Sequence, residues 1–95
     1  MKVVVIQEVG AEVIDVVAYN SKFMSVVIDL LIKYNYLSEK TRIYIEEFDK
    51  YIPTREYYGD DWKERMGKMS IEEFNRIFDE DEMYLEVFNV EGMTD

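Results

Sequence analysis

The chain contains neither cysteine nor histidine. Without cysteine there are no disulfides, no thiolate nucleophiles and no cysteine metal sites. Without histidine there is no imidazole, which excludes a serine–histidine triad and an imidazole-bound zinc. Proline occurs once, at Pro53, and glycine four times, so the composition that marks linkers and unfolded tails is missing as well. No stretch approaches the roughly 18 consecutive apolar residues of a membrane span, because Asp29 and Lys33 interrupt the longest candidate. The opening run Val3–Ile6 stops at Gln7 and Glu8, short of a signal peptide. A cytoplasmic protein is therefore the expectation, with no membrane contact.

Apolar residues make up 48% of the 95 and aromatics 15%, enough to build one core. We expect a single α+β domain over residues 1–95, with a frayed tail at 91–95 and no internal repeat. The formal net charge of −10 comes from 11 basic and 21 acidic residues. Residues 1–45 carry five of each sign, so residues 46–95 carry 6 − 16 = −10, the whole imbalance. Such a chain should present a negative field on part of its surface, which repels nucleic acid and attracts basic partners.

Lys2–Val9 and Glu12–Tyr19 are rich in β-branched residues, with Gly10 and Ala11 between them, and predict a hairpin. Both faces of the first strand are apolar, which predicts a central strand covered on two sides. Asn20 and Ser21 are good N-caps for a helix over about 22–34, whose stripe would be Phe23, Val26, Val27, Leu30, Leu31 and Tyr34. The segment 42–48 alternates at Ile43 and Ile45 but also repeats at helical spacing through Tyr44, Phe48 and Tyr51; a further strand is the preferred assignment. Pro53 should end it, and Thr54–Gly59 should be a loop displaying Tyr57 and Tyr58. Two short helices follow, at about 61–69, weakened by Gly67, and at about 70–79, where Ser70 and Glu73 match a capping box. Met83–Val90 should enter the antiparallel sheet as a last strand beside the first. Tyr19, Tyr34, Tyr44 and Tyr84 are expected in the core or on a sheet face.

The serines at 21, 38 and 70 stand where caps and turns use them, so none is a preferred nucleophile. Paired carboxylates suffice for glycoside hydrolysis, but acids are so frequent that chance pairs abound, and a domain this small has little room for a cleft of roughly 300 Å³. An enzyme is not expected. The block Asp79, Glu80, Asp81 and Glu82 offers hard oxygen ligands, yet it lacks the alternating ligands and mid-loop glycine of a calcium loop; a charged, solvated turn is expected, with no metal and no cofactor. A third reading makes Asp60, Asp61, Glu64, Glu72, Glu73 and the 79–82 block an acidic recognition surface. Duplex DNA carries about one negative charge per 1.7 Å of axis, so spaced carboxylates can occupy the lysines and arginines of a protein that binds it. Tyr57, Tyr58 and Trp62 would supply aromatic contact area, unless Trp62 fills the core instead.

A short, acidic, tyrosine-rich chain without cysteine, opening on Met1-Lys2-Val3-Val4-Val5-Ile6 and a hairpin followed by one helix, resembles the small accessory proteins of phages and mobile elements. Anti-CRISPR proteins and DNA-mimic inhibitors are prominent among these. The resemblance is one of composition and layout and transfers no residue role. It implies a stoichiometric inhibitor in the host cytoplasm, which blocks the nucleic-acid-binding surface of a host enzyme such as a CRISPR effector. The competing expectation is an intracellular interaction or assembly domain, as a homodimer for instance, whose charge maintains solubility.

Overall fold

The computed structural model describes residues 1–10, 12–79 and 82–90. The turn residue Ala11, the acids Glu80 and Asp81 and the expected tail at 91–95 lie outside the described residues. The chain is α+β. Strand β1 (Lys2–Glu8) lies between β2 (Val13–Ala18) and β5 (Met83–Asn89) in an antiparallel sheet of order β2-β1-β5. Strands β3 (Arg42–Ile45) and β4 (Lys50–Pro53) form a second, two-stranded sheet. The helices are α1 (Phe23–Lys33), α2 (Thr54–Tyr58), α3 (Trp62–Met66) and α4 (Ile71–Ile77).

Gly10 adopts φ +76°, a conformation that favours glycine, and this lets the β1–β2 connection turn. Pairing places Val4 opposite Val17 and Val87, and Ile6 opposite Asp15 and Leu85. Val4, Ile6, Val17, Met83 and Leu85 face inward and join α1, α3 and α4 in one core. Val3 and Val5, on the other face, are only partly buried. The expectation of a strand covered on both sides is therefore corrected: β1 is central, but no described element covers its outer face. Where both parities are β-branched, the alternation cannot say which face receives the helices.

The stripe of α1 is corrected in the same way. Met24, Val27, Ile28 and Leu31 are buried, whereas Val26 and Tyr34 are 42% and 41% exposed. Nearly every position of this helix is apolar, so spacing alone admits more than one face, and docking against the sheet selected the 24/27/28/31 series. The helix start also differs: Lys22 is the capping position, and Asn20 Oδ1 accepts from the Lys22 N–H at 2.9 Å, tightening the preceding turn.

Segment 42–45 is a strand as preferred, and its partner β4 supplies a second strand that the sequence did not suggest. Pro53 ends β4, but Thr54–Tyr58 is helical, which corrects the expected loop. Proline before a helix leaves no N–H unpaired, and its fixed φ suits the entry. Thr54 is fully buried; its N–H and its hydroxyl both donate to the Thr41 carbonyl, at 2.8 and 2.7 Å, tying α2 to the start of β3. Helix α3 ends at Gly67, where a Cβ would lie 2.8 Å from the Ser25 hydroxyl of α1. The Ser70 hydroxyl accepts from the Glu73 N–H at 3.1 Å, the backbone half of the expected capping box.

Candidate functional site

The acidic second half of the chain is built from the β3–β4 hairpin and the three short helices, and their ion pairs decide which carboxylates remain available. Arg55 bridges Glu39 and Asp60, at 2.8 Å each; Asp60 first, then Glu39, hold its guanidinium above its ordinary pKa. Arg65 reaches back to Asp61 at 3.0 Å and Lys68 to Glu64 at 3.5 Å, both one helical turn apart. Arg76 of α4 binds Glu46 at the hairpin turn, at 3.2 Å. Of the six acids expected from residues 60 to 73 and 79, Asp60, Asp61 and Glu64 are thus paired to basic neighbours within the chain, whereas Glu72, Glu73 and Asp79 form no ion pair among the described residues. Glu82 joins them, held close to Asp79 by its N–H donating to the Asp79 carbonyl at 3.1 Å.

The expected aromatic anchors divide. Tyr57 is 40% exposed, and its ring meets that of Tyr58 edge-on with centroids 4.9 Å apart. Tyr58 is half-buried, and its hydroxyl is buried without a hydrogen-bond partner among the described residues; burial, then Glu73 and Tyr57, push its pKa up to about 12. Trp62 is 7% exposed and belongs to the core, with Lys63 Nζ 5.6 Å from its ring, so it is not a surface anchor.

Tyr44, assigned by sequence to the core or a sheet face, and Tyr51, which carried no site assignment, prove more relevant. On the hairpin, Tyr44 and Tyr51 sit opposite each other, with ring centroids 5.3 Å apart. The Tyr44 hydroxyl donates to Asp49 at 2.6 Å, which raises its pKa above the ordinary phenol value, and the Tyr51 hydroxyl donates to Asp79 at 3.3 Å. Asp49 takes φ +51°, which Asp tolerates better than most residues, and so closes the turn that brings it under Tyr44. The hairpin and the segment after α4 together bring Glu46, Asp49 and Asp79 to two aromatic rings, with Glu82 next to Asp79. Alternation at 43–45 and the Asp at a turn were the available signals; pairing with β4 was not. Tyr19 and Tyr34 are 46% and 41% exposed, Tyr19 stacking on Phe23 and Tyr34 donating to Asp15 at 2.8 Å.

Two open hollows are larger than the cleft of roughly 300 Å³ for which so small a domain was expected to have little room. One, about 570 Å³, is lined by Glu8, Glu12, Val13, Ile14, Tyr34 and Tyr36. The other, about 410 Å³, includes Asn75, Asp79, Glu82 and Tyr84, beside the acidic surface. Among the described residues no three acids gather closely enough to hold a metal ion. No helix among them is long and apolar enough to cross a membrane. Comparison with protein families, curated proteins and solved structures finds no match to the chain.

Proposed function

We propose that the domain is a protein-binding inhibitor whose carboxylates occupy the basic, nucleic-acid-binding surface of a host enzyme, in the manner of a DNA mimic or an anti-CRISPR protein. The observation that carries this is the surplus of negative charge after internal pairing. The three arginines of the second half, at 55, 65 and 76, are each committed to a carboxylate, while Glu72, Asp79 and Glu82 stay exposed with no basic partner among the described residues. A partner rich in lysine and arginine would supply the missing countercharge, and Tyr44, Tyr51 and Tyr57 would add contact area beside it.

The test is capture on the immobilised domain followed by competition. The captured protein should be basic, should elute as salt rises, and should be displaced by duplex DNA or RNA. Changing Asp79→Asn, Glu80→Gln, Asp81→Asn and Glu82→Asn together should slow association, whereas Tyr57→Ala should speed dissociation with little salt dependence. Binding that ignores salt, or leaves nucleic acid bound alongside, overturns the proposal. A second reading, a self-assembling domain with charge serving solubility, is favoured by a separate feature, the open edge of β5.

A further inference from the structure

The two edges of the main sheet are protected differently. Val90 N–H donates to the Met1 carbonyl and Val9 N–H to the Glu82 carbonyl, each at 2.8 Å, which fixes the phase of the β1–β5 ladder. In an antiparallel pair, hydrogen-bonded and non-hydrogen-bonded pairs alternate. With the register Lys2↔Asn89 through Glu8↔Met83, the N–H and C=O groups of Met83, Leu85, Val87 and Asn89 therefore point away from β1. The first two of these positions are already engaged. Met83 N–H donates to the Phe78 carbonyl, and the Asn75 side chain, acting as a one-residue strand, accepts from Leu85 N–H at 2.7 Å and donates to its carbonyl at 3.1 Å. Nothing described covers Val87 and Asn89, and Glu86–Asn89 is exposed throughout. The β2 edge, by contrast, carries a bulge near Gln7, and the Val16 N–H turns to its neighbour Asp15 at 2.7 Å. Bulges and local caps of this kind protect edges; among the described residues β5 has neither beyond Leu85.

We infer that the β5 edge pairs with β5 of a second copy of this chain, antiparallel and centred on Phe88, joining two three-stranded sheets into one. The register follows from the hydrogen bonds. Centred on Phe88, Val87 faces the partner's Asn89 and Asn89 the partner's Val87, so both free positions form doubly bonded pairs. Centred on Val87, a second bonded pair would need Leu85, which Asn75 occupies. Centred on Glu86, like charges would face each other. The Phe88 centre sets the ring of Phe88, 43% exposed, beside its symmetry mate and Glu86 opposite the partner's Val90. It also extends the apolar row Ala18–Val3–Phe88 of the outer face directly into the same row of the partner. The partner's β5, which ends at Asn89, then reaches only as far as Val87, two residues or about 7 Å short of Leu85, where Asn75 closes the edge.

Charge favours a copy over a basic partner here. Val87–Val90 contains no charged residue in a chain of net −10, so two such chains can meet along it with little repulsion, and a basic partner finds little attraction there.

Sedimentation equilibrium across concentration, at moderate salt, should show the mass rising from 11.4 kDa toward twice that value. Phe88→Asp places two carboxylates face to face. Asn89→Pro deletes an outward donor without touching the β1 ladder, since Lys2↔Asn89 is not a bonded pair. Each should raise the dimer dissociation constant by at least about tenfold, a loss on the scale of a single net interaction. Amide hydrogen exchange gives a measurement free of substitution: the Val87 and Asn89 amides should slow as concentration rises, while those of Val16 and Ala18 on the β2 edge should not. A monomer at every soluble concentration, as expected if the edge instead awaits a foreign strand, overturns the inference. So does a dimer indifferent to both substitutions, or one that protects Val16 and Ala18.

Discussion

The phenol of Tyr58 is the residue with the clearest individual consequence, because its oxygen is buried without a hydrogen-bond partner among the described residues and its pKa is about 12. An unfolded tyrosine ionises near 10, so between about pH 10 and 12 the unfolded chain has released a proton that the folded chain still holds. Stability should therefore fall over that window and be indifferent to this group below it. Tyr58→Phe should remove that part of the alkaline loss and, by deleting an unsatisfied polar atom, raise stability at neutral pH by up to about 1 kcal/mol. Thermal melts of both proteins from pH 7 to about 12 check this; an unchanged alkaline slope would mean that the hydroxyl is solvated. The serine at 70 and the hairpin glycine at 10 were legible from sequence because each is read by its own backbone. Tyr58 was visible only as a tyrosine, since its burial depends on what packs over it.

Among the elements, α1 and β5 owe their roles to neighbours. The buried face of α1 predicts that Leu31→Ala costs about 2–4 kcal/mol in a denaturant melt, through lost methyl burial and a cavity, whereas Val26→Ala stays within about 0.5 kcal/mol. Equal costs would mean that the helix is rotated. For β5, Asn75→Ala leaves the Leu85 N–H and C=O without their partner, and should cost about 1–3 kcal/mol. Hydrogen exchange at the Leu85 amide reports the same loss locally. The spacing in α1 could not choose its face because Phe23, Val26 and Leu30 are as apolar as Met24, Ile28 and Leu31. Helix α2 was hidden for another reason: five residues are too few for periodicity, and its start is set by Thr54 bonding to a carbonyl 13 positions earlier.

At the scale of the molecule, the charge of −10 acts against compaction. Raising salt from near zero to ~0.15 M, where the Debye length is about 8 Å, should therefore raise the melting temperature, and a decrease would show that the exposed ion pairs outweigh the repulsion. EDTA should leave the melt unchanged; loss of the transition would reveal a structural cation held by the 79–82 block. The same excess charge makes binding to a basic partner salt-sensitive, while association through the uncharged end of β5 should tolerate salt or gain from it. The two behaviours can thus be separated in one titration.

The class of the fold, the central place of β1, the existence of α1, α4 and β5, and the sign and location of the net charge were all legible in the amino-acid order. These follow from composition and from patterns local to a few residues, such as β-branched runs, caps and a hydrophobic strand. Packing in three dimensions selected the buried face of α1, put Trp62 in the core, paired β4 with β3, chose which carboxylates arginines neutralise and which are left over, and set Asn75 at one end of a β5 edge that no described residue covers at the other. Each of these depends on groups distant along the chain meeting in space, as Asn75 meets Leu85 and Tyr51 meets Asp79. Residue patterns do not encode such meetings, because the same apolar or acidic residue serves equally well on several alternative faces until packing selects one.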